Sequence, residues 1–109
     1  MTLNAQTKPP VYLVWEAEVT DPAVYQTYVD RHTLLVEASG GRFLARGAKV
    51  TTLDGAAPKR SGIIVFDSME KALAYRNKAD FKAIQLIRDK SSKYRAYLTE
   101  GTVSTVITR

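Results

Sequence analysis

The chain has no cysteine and only one histidine and one tryptophan among 109 residues. Without cysteine there are no disulfides, thiol nucleophiles or thiolate metal sites, which fits a reducing compartment. A lone histidine with no acidic cluster beside it argues against a transition-metal centre, so no metal is expected. Neither common glycine-rich phosphate loop occurs and no cofactor motif stands out, so no cofactor is expected. Ser39 and Ser61 have no histidine at a telling spacing, which leaves nucleophilic serine catalysis unsupported. No apolar run approaches the ~20 residues of a membrane span. Met1 to Pro10 also lacks the apolar stretch of about 7 to 15 residues that a secretory signal carries. The expectation is a cytoplasmic protein with no membrane partner.

What is present reads as an ordinary globular chain, 45% hydrophobic and 25% charged. Its length suits one domain with one core. We expect a tail over 1–10, a folded unit over 11–101 and a C-terminal extension over 102–109. Net charge is +5 and unevenly spread. Between Lys71 and Arg95, eight Lys and Arg face only Asp80 and Asp89, a net +6 that leaves −1 for the remainder. Such a basic third suits an anionic partner, or simply solvated helix faces, since its charges alternate with apolar residues at helical spacing.

Val11 to Val19 alternates in strand period, with Val11, Leu13, Trp15 and Ala17 on one side and Tyr12, Val14, Glu16 and Glu18 on the other. Asp21 and Pro22 then supply an N-cap and first helical position for a helix reaching about Ala38. Gly40 or Gly41 closes it in the left-handed region. Arg42 to Arg46 and Lys49 to Leu53 read as a strand interrupted near Gly47. Gly62 to Phe66 is apolar enough for the middle of a sheet. Asp67 and Ser68 cap a helix from Met69 to about Asn77, Asp80 starts another covering Phe81 to about Lys90, and Lys93 to Glu100 forms a last strand. The order is βαββαβ with its second helix broken, an α+β ferredoxin-like arrangement: an antiparallel four-stranded sheet with helices on one face. Thr102 to Thr108 is β-branched enough for a short extra strand, with a neighbouring subunit as one place for it to pair and a frayed tail as the alternative.

Helices on one face leave the other sheet face bare, and here it is not polar enough to stand alone. Tyr12 and Val14 point outward, joined by either Ile63 with Val65 or Ile64 with Phe66. Such a patch marks an interface, so a homodimer through the open sheet faces is predicted. Glu16 and Glu18 are expected to pair with Arg42, Arg46, Lys93 or Arg95 across a two-fold.

The run Gly40-Gly41-Arg42-Phe43-Leu44-Ala45-Arg46-Gly47, supported by Val19-Thr20-Asp21-Pro22, Tyr25 and Tyr28, resembles the DUF1330 family over Val11 to Gly101. The resemblance implies a dimeric α+β barrel whose ferredoxin-like subunits pair sheet to sheet. It implies no particular activity, although related barrels include cofactor-independent oxygenases and isomerases that use the cleft between sheet and helices; carrying a reaction over from those is fold analogy.

His32 is the main candidate for chemistry. On a helical wheel it sits among Tyr25, Tyr28, Val29, Leu35 and Val36, so its ring points inward, as a general base, a ligand-binding group or a satisfied core histidine. Arg42 and Arg46, four apart, share one strand face if pairing is regular, where a guanidinium could grip a carboxylate or phosphate. Gly47 beside Arg46 would allow close backbone approach. Trp15, Tyr12 and Tyr97 offer either an aromatic pocket or core packing. The expected site is thus His32 as catalytic group, with Arg46, Arg42, Tyr28, Tyr12 and Trp15 as ligand-binding residues for a small, anionic organic molecule. The alternatives are a structural or regulatory dimer and a nucleic-acid binding module. The third strand carries only one stacking ring, which counts against nucleic acid.

Overall fold

The computed structural model describes residues 2–5, 8–47, 49–103 and 105–108, with side chains over 8–47 and 49–103. In chain order the elements are β1 (Thr2–Ala5), β2 (Val11–Val19), α1 (Pro22–Ala38), β3 (Arg42–Gly47), β4 (Arg60–Phe66), α2 (Met69–Asn77), α3 (Ala79–Ser91), β5 (Ser92–Glu100) and β6 (Thr105–Thr108). The main sheet is antiparallel in the order β3-β4-β2-β5, with three helices in a ferredoxin-like α+β arrangement.

Local chemistry explains the helix limits. The Asp21 carboxylate accepts a hydrogen bond from the Val24 N–H at 3.2 Å, and Pro22 occupies the first turn, where its missing N–H costs nothing. At the far end Gly40 takes φ +82°, and the Gly41 N–H returns to the Val36 carbonyl at 2.9 Å. A residue with a Cβ would be strained at Gly40, so the chain can reverse into β3 there at little cost. Ser68 caps α2 by accepting from the Lys71 N–H. α3 begins at Ala79, one residue before the expected start, and Asp80 lies in its first turn without capping it. The carboxylate still favours the positive end of the helix dipole.

Val11, Leu13, Trp15 and Ala17 are buried beneath the helices, where they meet Ile64 and Phe66 of β4, Tyr25, Tyr28, Leu35 and Val36 of α1, and Tyr75, Phe81 and Ile84 of α2 and α3. Of the two options for the outer face, register selects Ile63 with Val65, which lie opposite Val14 and Tyr12.

Three expectations change. Lys49 to Leu53 forms no strand: β3 ends at Gly47, and Leu53 is 88% exposed. The irregularity lies earlier than Gly47, as a register shift between Phe43 and Ala45. β6 does form, but its antiparallel partner is β1 of the same chain, so the N-terminal segment is a strand as well.

Candidate functional site

A cavity of about 140 Å³ opens between α1 and the sheet. Its floor is Trp15 from β2 and Tyr94 from β5, whose rings stack at 6.0 Å. Tyr25, Tyr28 and His32 project into it from α1, because 3- and 4-residue steps keep them on one helix face. Phe43, Arg46 and Gly47 of β3 and Arg60 of β4 complete the mouth.

His32 is buried, stacks on Tyr28 at 4.9 Å and is hydrogen-bonded through Nε2 to the Tyr75 hydroxyl. Burial, reinforced by the positive charges of Arg46, Arg88 and Arg76, pushes its pKa down from 6.5 to about 3. The imidazole is therefore neutral at pH 7, and the conjugate base of so strong an acid takes protons poorly. The tyrosines move the other way. Burial pushes Tyr25 up to about 12 and also raises Tyr28, Tyr75 and Tyr94, so all four stay protonated and can donate hydrogen bonds.

Arg46 projects over the Phe43 ring, its guanidinium carbon 4.1 Å from the centroid, and donates to Thr33 Oγ1. Arg60 approaches the Tyr25 ring at 5.7 Å. The cavity wall thus carries two arginines and no carboxylate. Among the described residues Trp15 Nε1 has no hydrogen-bond partner, and the Tyr28 hydroxyl, beside Arg88 and Tyr94, makes no well-aligned hydrogen bond.

His32, Tyr28, Trp15 and Arg46 come together as expected, but Arg42 and Tyr12 do not join them. Regular alternation would place Arg42 and Arg46 on one face. The bulge at Leu44 adds a residue between them, so Arg42 pairs with Val65 on the outer face and Arg46 with Gly62 on the helix face. Tyr12 is an odd number of residues from Trp15 and therefore points to the opposite face, where it pairs with Val65 and Thr99. Tyr97 shares that outer face, opposite Val14. The glutamates also correct an expectation: Glu16 pairs with Arg95 at 3.4 Å and Glu18 with Lys93 at 3.7 Å inside one subunit.

Sequence reasoning missed Tyr94, Arg60 and Arg88. The Arg88 side chain is only 7% exposed; it pairs with Asp89 at 2.9 Å and lies over the Tyr94 ring at 4.2 Å. The buried positions of α3 are Phe81, Ile84, Arg88 and Ser91. A helical wheel drawn on that spacing sets an arginine on the apolar stripe, which is the signal that could have found it. Its burial, and the pairing of Arg95 and Lys93 on the outer sheet face, divide the basic third of the chain between separate surfaces. Among the described residues no three His, Asp or Glu converge, and no helix is long and apolar enough to cross a membrane.

Several solved structures share this fold. A protein of unknown function from Rhodopseudomonas palustris superposes with a TM-score of 0.71 at 11% identity, over 91% of this chain and 86% of that one. SnoaB, a cofactor-independent oxygenase from Streptomyces nogalater, gives 0.63 at 14% identity over 84% and 91%. A dimeric ferredoxin-like protein of unknown function from Thermobifida fusca gives 0.60 at 13% identity over 86% and 92%. At such identities the likeness is one of fold. No curated protein matches the chain. Residues 10–102 match the family described as a domain of unknown function, DUF1330, and with the match running from before β2 to beyond β5, the chain belongs to that family.

Proposed function

We propose that the cavity between α1 and the sheet binds a small organic anion, its charged group held by Arg46 and Arg60 at the mouth and its body among Trp15, Tyr28 and Tyr94. The observation that carries this reading is the wall itself, with two guanidinium groups and no carboxylate to neutralise them. An anion entering such a site gains paired, charge-assisted hydrogen bonds in a partly dry setting, where they are strongest. The volume limits the body. A cavity of ~150 Å³ holds one benzene, so about 140 Å³ admits one ring or its equivalent.

The chemistry favoured here is proton removal from an enolisable acid, a first step open to isomerases and to cofactor-independent oxygenases such as SnoaB. In the empty site His32 is too weak a base for this. Burial is the larger cause of its low pKa, but a bound anion offsets the Arg46 charge that adds to it, and so strengthens the base when substrate is present.

The test is calorimetric titration with single-ring carboxylic acids and their uncharged amides. The acids should bind and the amides should not, and Arg46→Gln should weaken the acids roughly tenfold or more. Equal binding of acids and amides, or an unaffected Arg46→Gln variant, would overturn the reading.

We also propose that two copies pair through the outer sheet face; the Thermobifida fusca protein is likewise dimeric. That face carries Tyr12, Val14, Ile63 and Val65, with Tyr97 48% and Leu44 52% exposed. Burying this surface supplies the driving force.

A further inference from the structure

The same two atoms say more about the ligand than its charge. Trp15 is 7% and Tyr28 2% exposed, and both side chains line the cavity, yet among the described residues the indole Nε1–H has no partner and the Tyr28 O–H has no aligned acceptor. A buried polar group left unpaired costs free energy, so such groups are retained where something else completes them. An indole N–H can only donate, and what it lacks is an acceptor. Tyr28 can donate or accept, but Arg88 and Tyr94 stand close to its hydroxyl. A guanidinium offers no lone pair, and contact between the two hydroxyls lowers the Tyr28 pKa while raising that of Tyr94, as when Tyr94 donates to Tyr28, so both neighbours occupy the oxygen lone pairs and leave the Tyr28 O–H to turn to the cavity.

From this we infer that the ligand is an oxo acid, whose uncharged carbonyl oxygen accepts from Trp15 Nε1–H and Tyr28 O–H while its carboxylate meets Arg46. The inference rests on the anion-binding reading above. A carbonyl fits better than a hydroxyl, because it takes two donors on two lone pairs and brings no hydrogen that itself needs an acceptor. Gly62 pairs with Trp15 on one side and Arg46 on the other, and the indole nitrogen reaches over Gly62 toward Arg46, so one small ligand can span both groups.

A matched pair of probes tests this: 4-oxopentanoate and pentanoate, which differ only in the ketone and whose carbon chains fit the volume of one ring. The oxo acid should bind roughly tenfold more tightly, the worth of one or two neutral hydrogen bonds. Trp15→Phe and Tyr28→Phe should each shrink that ratio, whatever the altered wall does to the deoxo acid itself, whereas Arg46→Gln should weaken both acids alike and leave the ratio. A second readout needs no variant. Trp15 is the only tryptophan, so its indole N–H gives a single proton resonance, which should shift with the oxo acid and not with the deoxo acid. If both acids bind equally and the indole resonance ignores the ketone, the oxo-acid inference fails and the anion site stands. If neither acid binds, both fail.

Discussion

The indole of Trp15 lies directly across Gly62: a Cβ built on that glycine would sit 2.4 Å from two of its ring carbons and 2.5 Å from its nitrogen. Gly62 also pairs with Arg46 on its other side. The aromatic floor of the cavity therefore depends on a missing side chain in the strand between them. Gly62→Ala must displace the indole, because real Cβ contacts never come so close. Overpacking of this kind costs ~1–3 kcal/mol. We expect a lower urea midpoint, a shifted emission maximum from the sole tryptophan and weaker binding of small acids. Unchanged fluorescence and stability would mean that Trp15 does not rest there.

His32 should make stability depend on pH. Its folded pKa is about 3 against 6.5 for an unperturbed imidazole. Between those values the unfolded chain takes up a proton that the folded one refuses. Stability from this residue is complete above pH ~6.5 and falls as pH drops toward 3, by up to ~1.4 kcal/mol per pH unit. Urea unfolding at pH 7 and pH 5 should therefore show a larger loss in the native protein than in His32→Gln. The same variant should be less stable than the native protein at pH 7, because the Tyr75 hydroxyl, in a residue only 1% exposed, loses its partner. Parallel pH profiles for the two proteins would contradict the assignment.

Arg88 offers a route to the histidine from a distance. Its charge is one of those that lower the His32 pKa, after burial and Arg46. Arg88→Met keeps much of the volume and removes the charge, and its partner Asp89 is 51% exposed, so the carboxylate left behind stays solvated. The His32 pKa, followed by NMR, should rise in Arg88→Met and rise further when an acid occupies the cavity. A value unmoved by either change would show that burial alone sets it.

Much of this architecture was legible from local pattern. Asp21-Pro22, Gly40-Gly41 and Ser68 are capping signals whose physics acts over four residues, so α1 and α2 came out with their observed limits. The inward side of β2 followed from alternation, and the inward side of α1 from its 3- and 4-residue steps. What escaped depends on pairing between distant segments. The bulge at Leu44 turns Arg46 inward and Arg42 outward, and no residue in that run announces it. The partner of β6 was equally hidden, since β1 and β6 lie at opposite ends of the chain. Tyr94 was passed over for Tyr97 because parity on β5 is fixed only once Ala17 is known to sit opposite Tyr94.

The outer sheet face yields the remaining prediction. Val14 and Ile63 lie directly opposite each other across the two central strands, facing away from the helices. If this face is a subunit interface, a carboxylate at either position would be buried without a partner in the dimer yet solvated in a free monomer. The penalty then falls on association rather than folding. Val14→Glu and Ile63→Glu should each convert dimer to monomer in sedimentation equilibrium at micromolar concentration while keeping native circular dichroism. Leu86→Glu serves as the control, since Leu86 is 72% exposed on α3, away from the sheet's outer face. The Glu16–Arg95 and Glu18–Lys93 pairs sit in the same subunit and are exposed enough that each is worth at most ~1 kcal/mol. Added salt should therefore leave the dimer largely intact, and a dimer that dissolves in salt but survives both glutamates would relocate the interface.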